Sequence, residues 1–522
     1  MNKPPPIPNM SKSWLYKIYW FYKIYKIGKP IAIAFLTFSF GAISVLAFAP
    51  FSWYLVPIIT LMWLLRIWKD SNPLTALQQG WLFGLGFMGF GVFWLRISIS
   101  QFGGVDALLA TISTIMFITV VAAFFSFAGW LSCYLTKNPV IRLSITIPAA
   151  WGLMEWMRSW VLTGFPWLAL GYSQIDSPLR SFAPIFGVYG ISWILMLSIG
   201  WLMLGIVYWY QKCRAQAIKW LIMALLPWAI GWILANAAWV VPYGKSLQIS
   251  IIQPSIPQAI KWEPQQLIPT LKTYRQMTRE AKGSLIIWPE TAIPAFLHQV
   301  EKHFLLPLAQ ELANRNVKLL VGVPVLDPDG KRYYNGAVLA GVPNAFYYKR
   351  HLVPFGEFLP FRKWLGPFLD FLQIPMSNFA PGIKQSTNIQ INNHIAGISI
   401  CYEDAFGAEV RTALPKATFL VNLSNDAWFG DSLAPHQHLE IARMRALEMG
   451  RPLVRATNSG ISALIDAAGQ VQTASKLFAK TTLTGTIQPM QGTTLFVYWG
   501  NSMVIILMCI SLIGGIPKFG VS

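Results

Sequence analysis

Eight apolar runs constrain this chain more than any other feature. They lie at about 31–49, 52–67, 80–99, 107–135, 143–162, 184–210, 218–240 and 494–515. Roughly 20 apolar residues are what a helix needs to cross a bilayer, where each backbone polar group must be bonded within its own segment. The second run is short, and only "APFSW" parts it from the first, so the two read as a tight hairpin. Between about Ser246 and Gly492 the pattern changes. No run there is long enough to span, and short apolar strands alternate with polar, helix-like stretches, the signature of an α/β domain. The expected organisation is an interfacial tail (1–30), a membrane domain of about seven spans (31–242), an α/β domain (243–492) and a closing span with a short tail (493–522).

Charge gives these spans a direction. Only 12% of the 522 residues are charged, against about a quarter in a soluble domain, and 41 Lys and Arg face 21 Asp and Glu. In a chain this apolar, the basic excess reads as membrane topology and anionic-lipid contact in preference to nucleic acid. Lys3, Lys12, Lys17, Lys23, Lys26 and Lys29 precede the first run. Arg66 and Lys69, then Lys137 and Arg142, then Lys212, Arg214 and Lys219 follow the second, fourth and sixth, and Lys518 follows the last. The connections after the first, third and fifth runs are poor in basic residues. Termini on the cytoplasmic side and an α/β domain on the far side follow from the positive-inside rule. The stretch "SWLYKIYWFYKIYKIGK" mixes aromatics with lysines and is expected at the inner interface; it lacks a signal-peptide cleavage site. The four cysteines, Cys133, Cys213, Cys401 and Cys509, have neither CxxC nor metal-ligand spacing, so they imply no disulfide framework.

Within the α/β domain, three apolar strands end in reactive side chains. "GSLIIWPETAIP" ends in Glu290, "NAFYYKRHLVPFGEFLP" carries Lys349 with Glu357 eight residues later, and "HIAGISICYEDAFG" ends in Cys401. Ligands of α/β sheets bind at the carboxyl ends of strands, so three such ends can share one site. The chemistry is coherent: a thiol needs a base to become an efficient nucleophile, a desolvated carboxylate can be that base, and a lysine can stabilise an oxyanion. Taken singly, each residue has a plainer reading: Cys401 as an inert buried thiol, Glu290 as a turn cap, Lys349 as a solvated charge.

The strings around these residues are more specific. "WPETAIP", "YYKRHLVPFGEFLP" and "ISICYEDAFG" resemble the Glu, Lys and Cys signatures of the nitrilase superfamily. Joined to membrane spans, they resemble its apolipoprotein N-acyltransferase branch. "QPSIPQAIKW", "VLTGFPWLALGYSQID" and "NLSNDAWFG…HQHLEIARMRALEMGRPLVRATNSGIS" extend the likeness over nearly the whole chain. One departure is Asp404, where a more apolar residue is expected after Glu403. The resemblance implies an αββα sandwich fused to the helical bundle, with Glu290 as base, Lys349 as oxyanion stabiliser and Cys401 as nucleophile. Trp262, Glu357, Tyr402 and Glu403 are implied to support the site. Apart from the resemblance, "NLSNDAWFG" puts Asn425 and Asp426 at another strand end, where they are expected to shape the pocket rim.

The implied reaction is ping-pong acyl transfer from a phosphatidylethanolamine-like phospholipid, through a Cys401 thioester, to the α-amine of a diacylglyceryl-cysteine on an apolipoprotein. A multi-pass monomer in the bacterial inner membrane is implied, its catalytic domain in the periplasm, with no metal, no cofactor and no nucleic-acid partner. A membrane-tethered nitrilase or amidase acting on a C–N substrate is the alternative. A transporter with a regulatory domain is disfavoured, because the runs hold few ionisable residues beyond Glu155 and no broken inverted repeat. Three further features are weighed on their own. The segment 361–382, apolar and proline-punctuated, reads as a lid that dips into lipid. His436 and His438 lack a third ligand motif, so a hydrogen-bonding role outweighs a metal one. Glu155 beside Arg158 reads equally as a functional charge or a structural ion pair.

Overall fold

The structure, a computed structural model, describes residues 30–327, 329–343, 345–358, 379–382 and 387–516. The basic aromatic tail and most of the proposed lid lie outside the described residues.

In the first half, helices form where the apolar runs predict them. Four are long and apolar enough to cross a membrane: Pro30–Ala47, Ala107–Leu135, Pro178–Tyr210 and Arg214–Leu234. A fifth candidate is the pair Pro73–Val92 and Leu95–Phe102, bent by 53° at its break. The eight runs therefore do not become eight full-length helices. The second run forms the 13-residue Val56–Trp68, the fifth ends at Arg158 after Ile147–Arg158, and the last is split, its longer part being Ser502–Gly514. Asn72 and Asp106 start their helices by accepting from Thr75 N and from Leu108 N and Leu109 N, which relieves donors that have no partner within the helix. Large apolar side chains on Ala107–Leu135, Arg214–Leu234 and Ser502–Gly514 face outward, among them Met116, Phe127, Leu225, Trp232, Ile506 and Ile513. So broad an unpartnered apolar surface marks a membrane-contacting belt.

The second half forms two six-stranded sheets. Each has a parallel core: Leu247–Gln253, Leu285–Ile287 and Lys318–Leu326 in one, and His394–Ile400, Phe419–Ser424 and Leu453–Thr457 in the other. The sheets face each other across a core that joins Ile249, Ile287 and Leu320 of the first to Ile398, Val421 and Val454 of the second. The outer face of the first sheet is covered by Leu267–Glu280 and Leu306–Ala313, and that of the second by Ala434–Met449. A helix–sheet–sheet–helix sandwich results. Strands buried on both faces need continuous apolar sequence, and "LQISIIQ", "HIAGISI" and "FLVNLS" supply it.

Ala434–Met449 has a second partner, for its Ile441, Met444 and Leu447 pack into the hydrophobic cluster of the membrane helices. Its polar side chains also satisfy backbone groups freed where those helices break. At the bend after Val92, Gln437 Nε2 donates to Gly91 O at 3.0 Å, while Gln437 Oε1 accepts from Trp94 and Trp167 at 3.1 and 2.7 Å. Pro178–Tyr210 is interrupted at Gly187, whose φ of 66° suits a residue without a Cβ. There Val188 N donates to Glu448 Oε1 at 2.7 Å. Glu440 accepts from Ala49 N at 3.1 Å. Broken helices persist in apolar surroundings only where such partners exist, and one helix of the sandwich provides them at three places.

Candidate active site

Strand ends of both sheets meet at the site. Glu290 lies three residues beyond Leu285–Ile287 and Lys349 one beyond Phe346–Tyr348 in the first sheet; Cys401 follows His394–Ile400 directly in the second. All three side chains are buried. Lys349 Nζ donates to Glu357 Oε1 at 2.9 Å and to Glu290 Oε1 at 3.4 Å. Glu357 Oε2 accepts from Val353 N at 2.8 Å, so the loop after the lysine folds back to supply its partner. Burial works against the charge of Lys349, but Glu357, Glu290 and Cys401 outweigh it and hold the lysine above its ordinary range. Burial, then the charge of Glu290, pushes the Cys401 thiol up, with Lys349 opposing. Thiol, lysine and carboxylate thus sense one another, and the resting sulfur keeps its proton. Nucleophilic attack there requires a base, and Glu290 is the carboxylate that acts most strongly on this thiol.

The turn that carries Cys401 is conformationally unusual. Its φ is 52°, a left-handed value that residues with a side chain seldom adopt. Glu403 fastens it to the lysine strand. Glu403 Oε2 accepts from Ile400 N at 2.7 Å, and Oε1 accepts from Arg350 N at 2.7 Å, His351 N at 3.2 Å and Tyr347 Oη at 2.8 Å. Burial raises the pKa of Glu403, and these donors oppose the shift. Tyr402 points the other way, donating to Gly164 O at 2.9 Å in the loop between membrane helices and stacking on Trp167. It ties the Cys401 turn to the bundle.

Asn425 donates to Gln258 Oε1 at 2.8 Å and is buried, as is Asp426. The expectation that Asp426 shapes a rim needs correction. Its carboxylate is sealed in an ionic network with His438, Arg455 and Asp404, because Arg455 in the neighbouring strand neutralises it there. His438 makes hydrogen bonds, and among the described residues no group of three His, Cys, Asp or Glu is placed to hold a metal. Trp262 is half-buried, with an indole N–H that has no partner among the described residues. The adjacent Lys261 donates to Thr291 Oγ1 at 3.0 Å, beside Glu290, and burial draws its pKa down to about 8. Glu155 accepts from Trp151 Nε1 and Leu170 N, both at 2.9 Å, whereas Arg158 donates to the carbonyls of Phe165 and Trp167. Each holds the loop after its helix, and no direct salt bridge joins them.

Sequence reasoning missed Asn335, whose Nδ2 donates to Glu290 Oε1 at 2.7 Å and to Glu357 Oε1 at 3.0 Å. It orients both carboxylates around the lysine. Its only signal in the sequence is an amide inside the strand "YYNGAVL". Lys261, Asn422 and Arg455 were missed too. A cavity of about 600 Å³ lies close by, between the bundle and the sandwich, walled by Trp156, Trp160, Tyr189, His351, Leu352 and Phe406.

Comparison with known proteins extends this picture. Residues 40–201 match the family described as apolipoprotein N-acyltransferase N-terminal domain, and residues 248–495 match carbon-nitrogen hydrolase. Curated apolipoprotein N-acyltransferases are similar over almost all of their lengths. That of Methylococcus capsulatus is 43% identical, covering 92% of this chain and 94% of the relative. That of Nitrosomonas europaea is 38% identical, covering 92% and 96%, and that of Coxiella burnetii 38%, covering 91% and 97%.

Proposed function

The chain belongs to the apolipoprotein N-acyltransferase family, and from that premise we propose how its site transfers an acyl chain from a membrane phospholipid to the N-terminal amine of an apolipoprotein. Glu290 takes the proton of the Cys401 thiol as the sulfur adds to the ester carbonyl of the phospholipid. Negative charge gathers on the carbonyl oxygen, and Lys349, fixed by Glu357 and Asn335, is the cation placed to stabilise it. The ester C–O bond breaks, the proton on Glu290 goes to the departing lysophospholipid, and an acyl thioester remains on Cys401. In the second half-reaction the α-amine of the diacylglyceryl-cysteine attacks that thioester and gives its proton to Glu290. The C–S bond breaks, an amide forms and the thiol is restored. Burial of all three groups keeps water from the thioester, which hydrolysis would otherwise drain.

One observation carries this reading: a buried thiol coupled to a carboxylate and a lysine at converging strand ends. The donor is a phosphatidylethanolamine-like lipid, the protein acts as a monomer, and it resides in the bacterial inner membrane with the sandwich in the periplasm. The order of contacts supports alternating crossings for the first five runs, as the eight-span reading requires. Buried Arg142 donates to carbonyls at the ends of both Val56–Trp68 and Ala107–Leu135, so those ends share one face. Ala49, Gly91, Gly164 and Val188 meet the sandwich on the opposite face. Intact-mass analysis of protein purified from membranes tests the chemistry. A hydroxylamine-labile acyl adduct on Cys401, passed to a diacylglyceryl peptide, is the expected result. Release of free fatty acid without transfer, or turnover of a C–N substrate alone, would favour a tethered amidase.

A further inference from the structure

Behind the nucleophile lies a sealed ionic network that the acyl-transfer steps do not use. His438 Nε2 is 2.9 Å from Asp404 Oδ1, and its Nδ1 is 2.9 Å from Asp426 Oδ1. Arg455 bridges the same two carboxylates on their other oxygens, at 3.3 Å to Asp404 and 2.8 Å to Asp426. All four side chains are buried. We propose that His438 is a positioning residue held as an imidazolium between Asp404 and Asp426, and that this charged clamp keeps the Cys401 turn in its reactive conformation.

The protonation state follows from the geometry. A carboxylate only accepts hydrogen bonds, and a neutral imidazole has a single N–H, so carboxylates on both ring nitrogens require both to carry hydrogen. A proton on either aspartate is opposed by Arg455, which donates to both. The charges then sum to zero, two carboxylates against one guanidinium and one imidazolium. A neutral His438 would leave a negative charge uncompensated in a site without water access, a costly arrangement. The groups facing the ring are Asp404 from the nucleophile turn, Asp426 from the turn after Phe419–Ser424, Arg455 from Leu453–Thr457 and the uncharged Trp167 from the bundle. Burial and Arg455 work against the imidazolium, while the aspartates overcome both and hold its pKa up at about 9.

The network reaches Cys401 by three routes. Asp404 belongs to the same short turn as the nucleophile. Arg455 donates to Asn422 Oδ1 at 2.9 Å, and Asn422 Nδ2 donates to Cys401 O at 3.2 Å. Ser424 donates to Asp426 Oδ1 at 3.1 Å and also acts on the thiol, drawing its pKa down against burial. A left-handed backbone at a residue with a side chain persists only where its surroundings over-determine it. The network is that surrounding. It is also joined to the membrane side, since Gln437, next to His438, holds Trp94, Trp167 and the Gly91 carbonyl at the helix break.

The functional half of this proposal rests on Cys401 being the nucleophile; the protonation half does not. Full-length protein labelled with 13C-histidine carries six histidines, few enough to resolve by NMR in detergent. The His438 signal, identified by its loss in His438→Gln and its shift in Asp404→Asn, is expected to titrate near pH 9. Titration at or below the ordinary 6.5 overturns the imidazolium. Kinetically, His438→Gln is expected to slow thioester formation by ~10²-fold, the scale of a small misplacement of reacting atoms, with KM for phospholipid unchanged. Asp404→Asn lets a neutral ring be satisfied, because the new amide donates to Nε2 while Nδ1–H donates to Asp426. It should recover part of that rate and remove the decline in rate above pH 9 expected of the parent. Full rate in a folded His438→Gln, or a loss that appears in KM alone, overturns the positioning role. Retained transfer in Cys401→Ala would instead remove the nucleophile assignment and leave the NMR result standing.

Discussion

Two buried charge clusters act on Cys401 by different means. Glu290 and Lys349 act on the sulfur through space, with Glu357 holding the lysine. Asp404, Asp426, Arg455 and His438 instead hold its backbone through Asn422 and the turn, Asp426 also adding its charge at the sulfur. In the first, two carboxylates face one ammonium, leaving one negative charge in excess. Lys261 stands beside it with a pKa near 8, so its neighbourhood changes charge close to neutral pH. The second contains two acids and two bases, and every charge has a partner within 3.3 Å. The first cluster, proposed to accept and return a proton, changes its net charge where Lys261 titrates, whereas the second is neutral and closed. The shared lesson is that burial alone does not mark a catalytic charge.

The largest expected effect comes from the group between the clusters. Cys401→Ser keeps the shape but offers a far less acidic hydroxyl, so no covalent acyl adduct should be seen by intact mass and lysophospholipid should not accumulate. Replacing Cys133, Cys213 and Cys509 together should leave the adduct in place, and its loss there would put the chemistry on the wrong thiol.

Next is the cation of the unbalanced cluster. Lys349→Arg keeps the charge but puts a planar fork where a compact ammonium meets two carboxylates, and turnover should fall by at least ~10²-fold. Near-normal turnover would mean that this cluster supplies only a general field. Glu357→Gln removes the excess negative charge while leaving a partner for Asn335. Losing a charge-assisted bond is worth about tenfold in rate, and the Cys401 pKa followed by maleimide alkylation should drop. An unchanged alkylation profile would show that the imbalance does not reach the sulfur.

The balanced cluster is sharpened by stability against pH. His438 is raised from 6.5 to about 9 in the fold, so its contribution is complete below pH 6.5 and is lost as pH rises through about 9. Thermal unfolding of the parent should move to lower temperature across that window, and Asp404→Asn should flatten the slope. The smallest effect is expected at Tyr402→Phe. It loses one hydrogen bond to Gly164 O, about 1 kcal/mol, and should shift the melting temperature by a few degrees with only a minor change in transfer.

Much was legible before any tertiary structure. Glu290, Lys349 and Cys401 stand out in the sequence because each ends an apolar strand, a local pattern, and the fold brings the three ends together. Glu357 and Glu403 came into view through the resemblance of the motifs that carry them, and the fold sets both against the Lys349 strand. The membrane character followed equally directly, since hydrophobic run length is a property of the chain itself. How far each run forms one helix was not local: Gly187 and the bend after Val92 persist because Glu448 and Gln437, hundreds of residues away, satisfy the exposed backbone. In the sequence Asn335 is only an amide inside a strand; the fold sets it between the carboxylates of Glu290 and Glu357. Asp404, the one departure noted in the nucleophile motif, gains its meaning from His438 and Arg455, 34 and 51 residues further along. Periodicity, run length and charge bias are written along the chain, and they point to the α/β class, the membrane character and the strand ends that carry Glu290, Lys349 and Cys401. Which buried charges balance one another depends on distances that only packing two sheets and a shared helix could set, because desolvation and Coulomb energy respond to separation in space and not along the sequence.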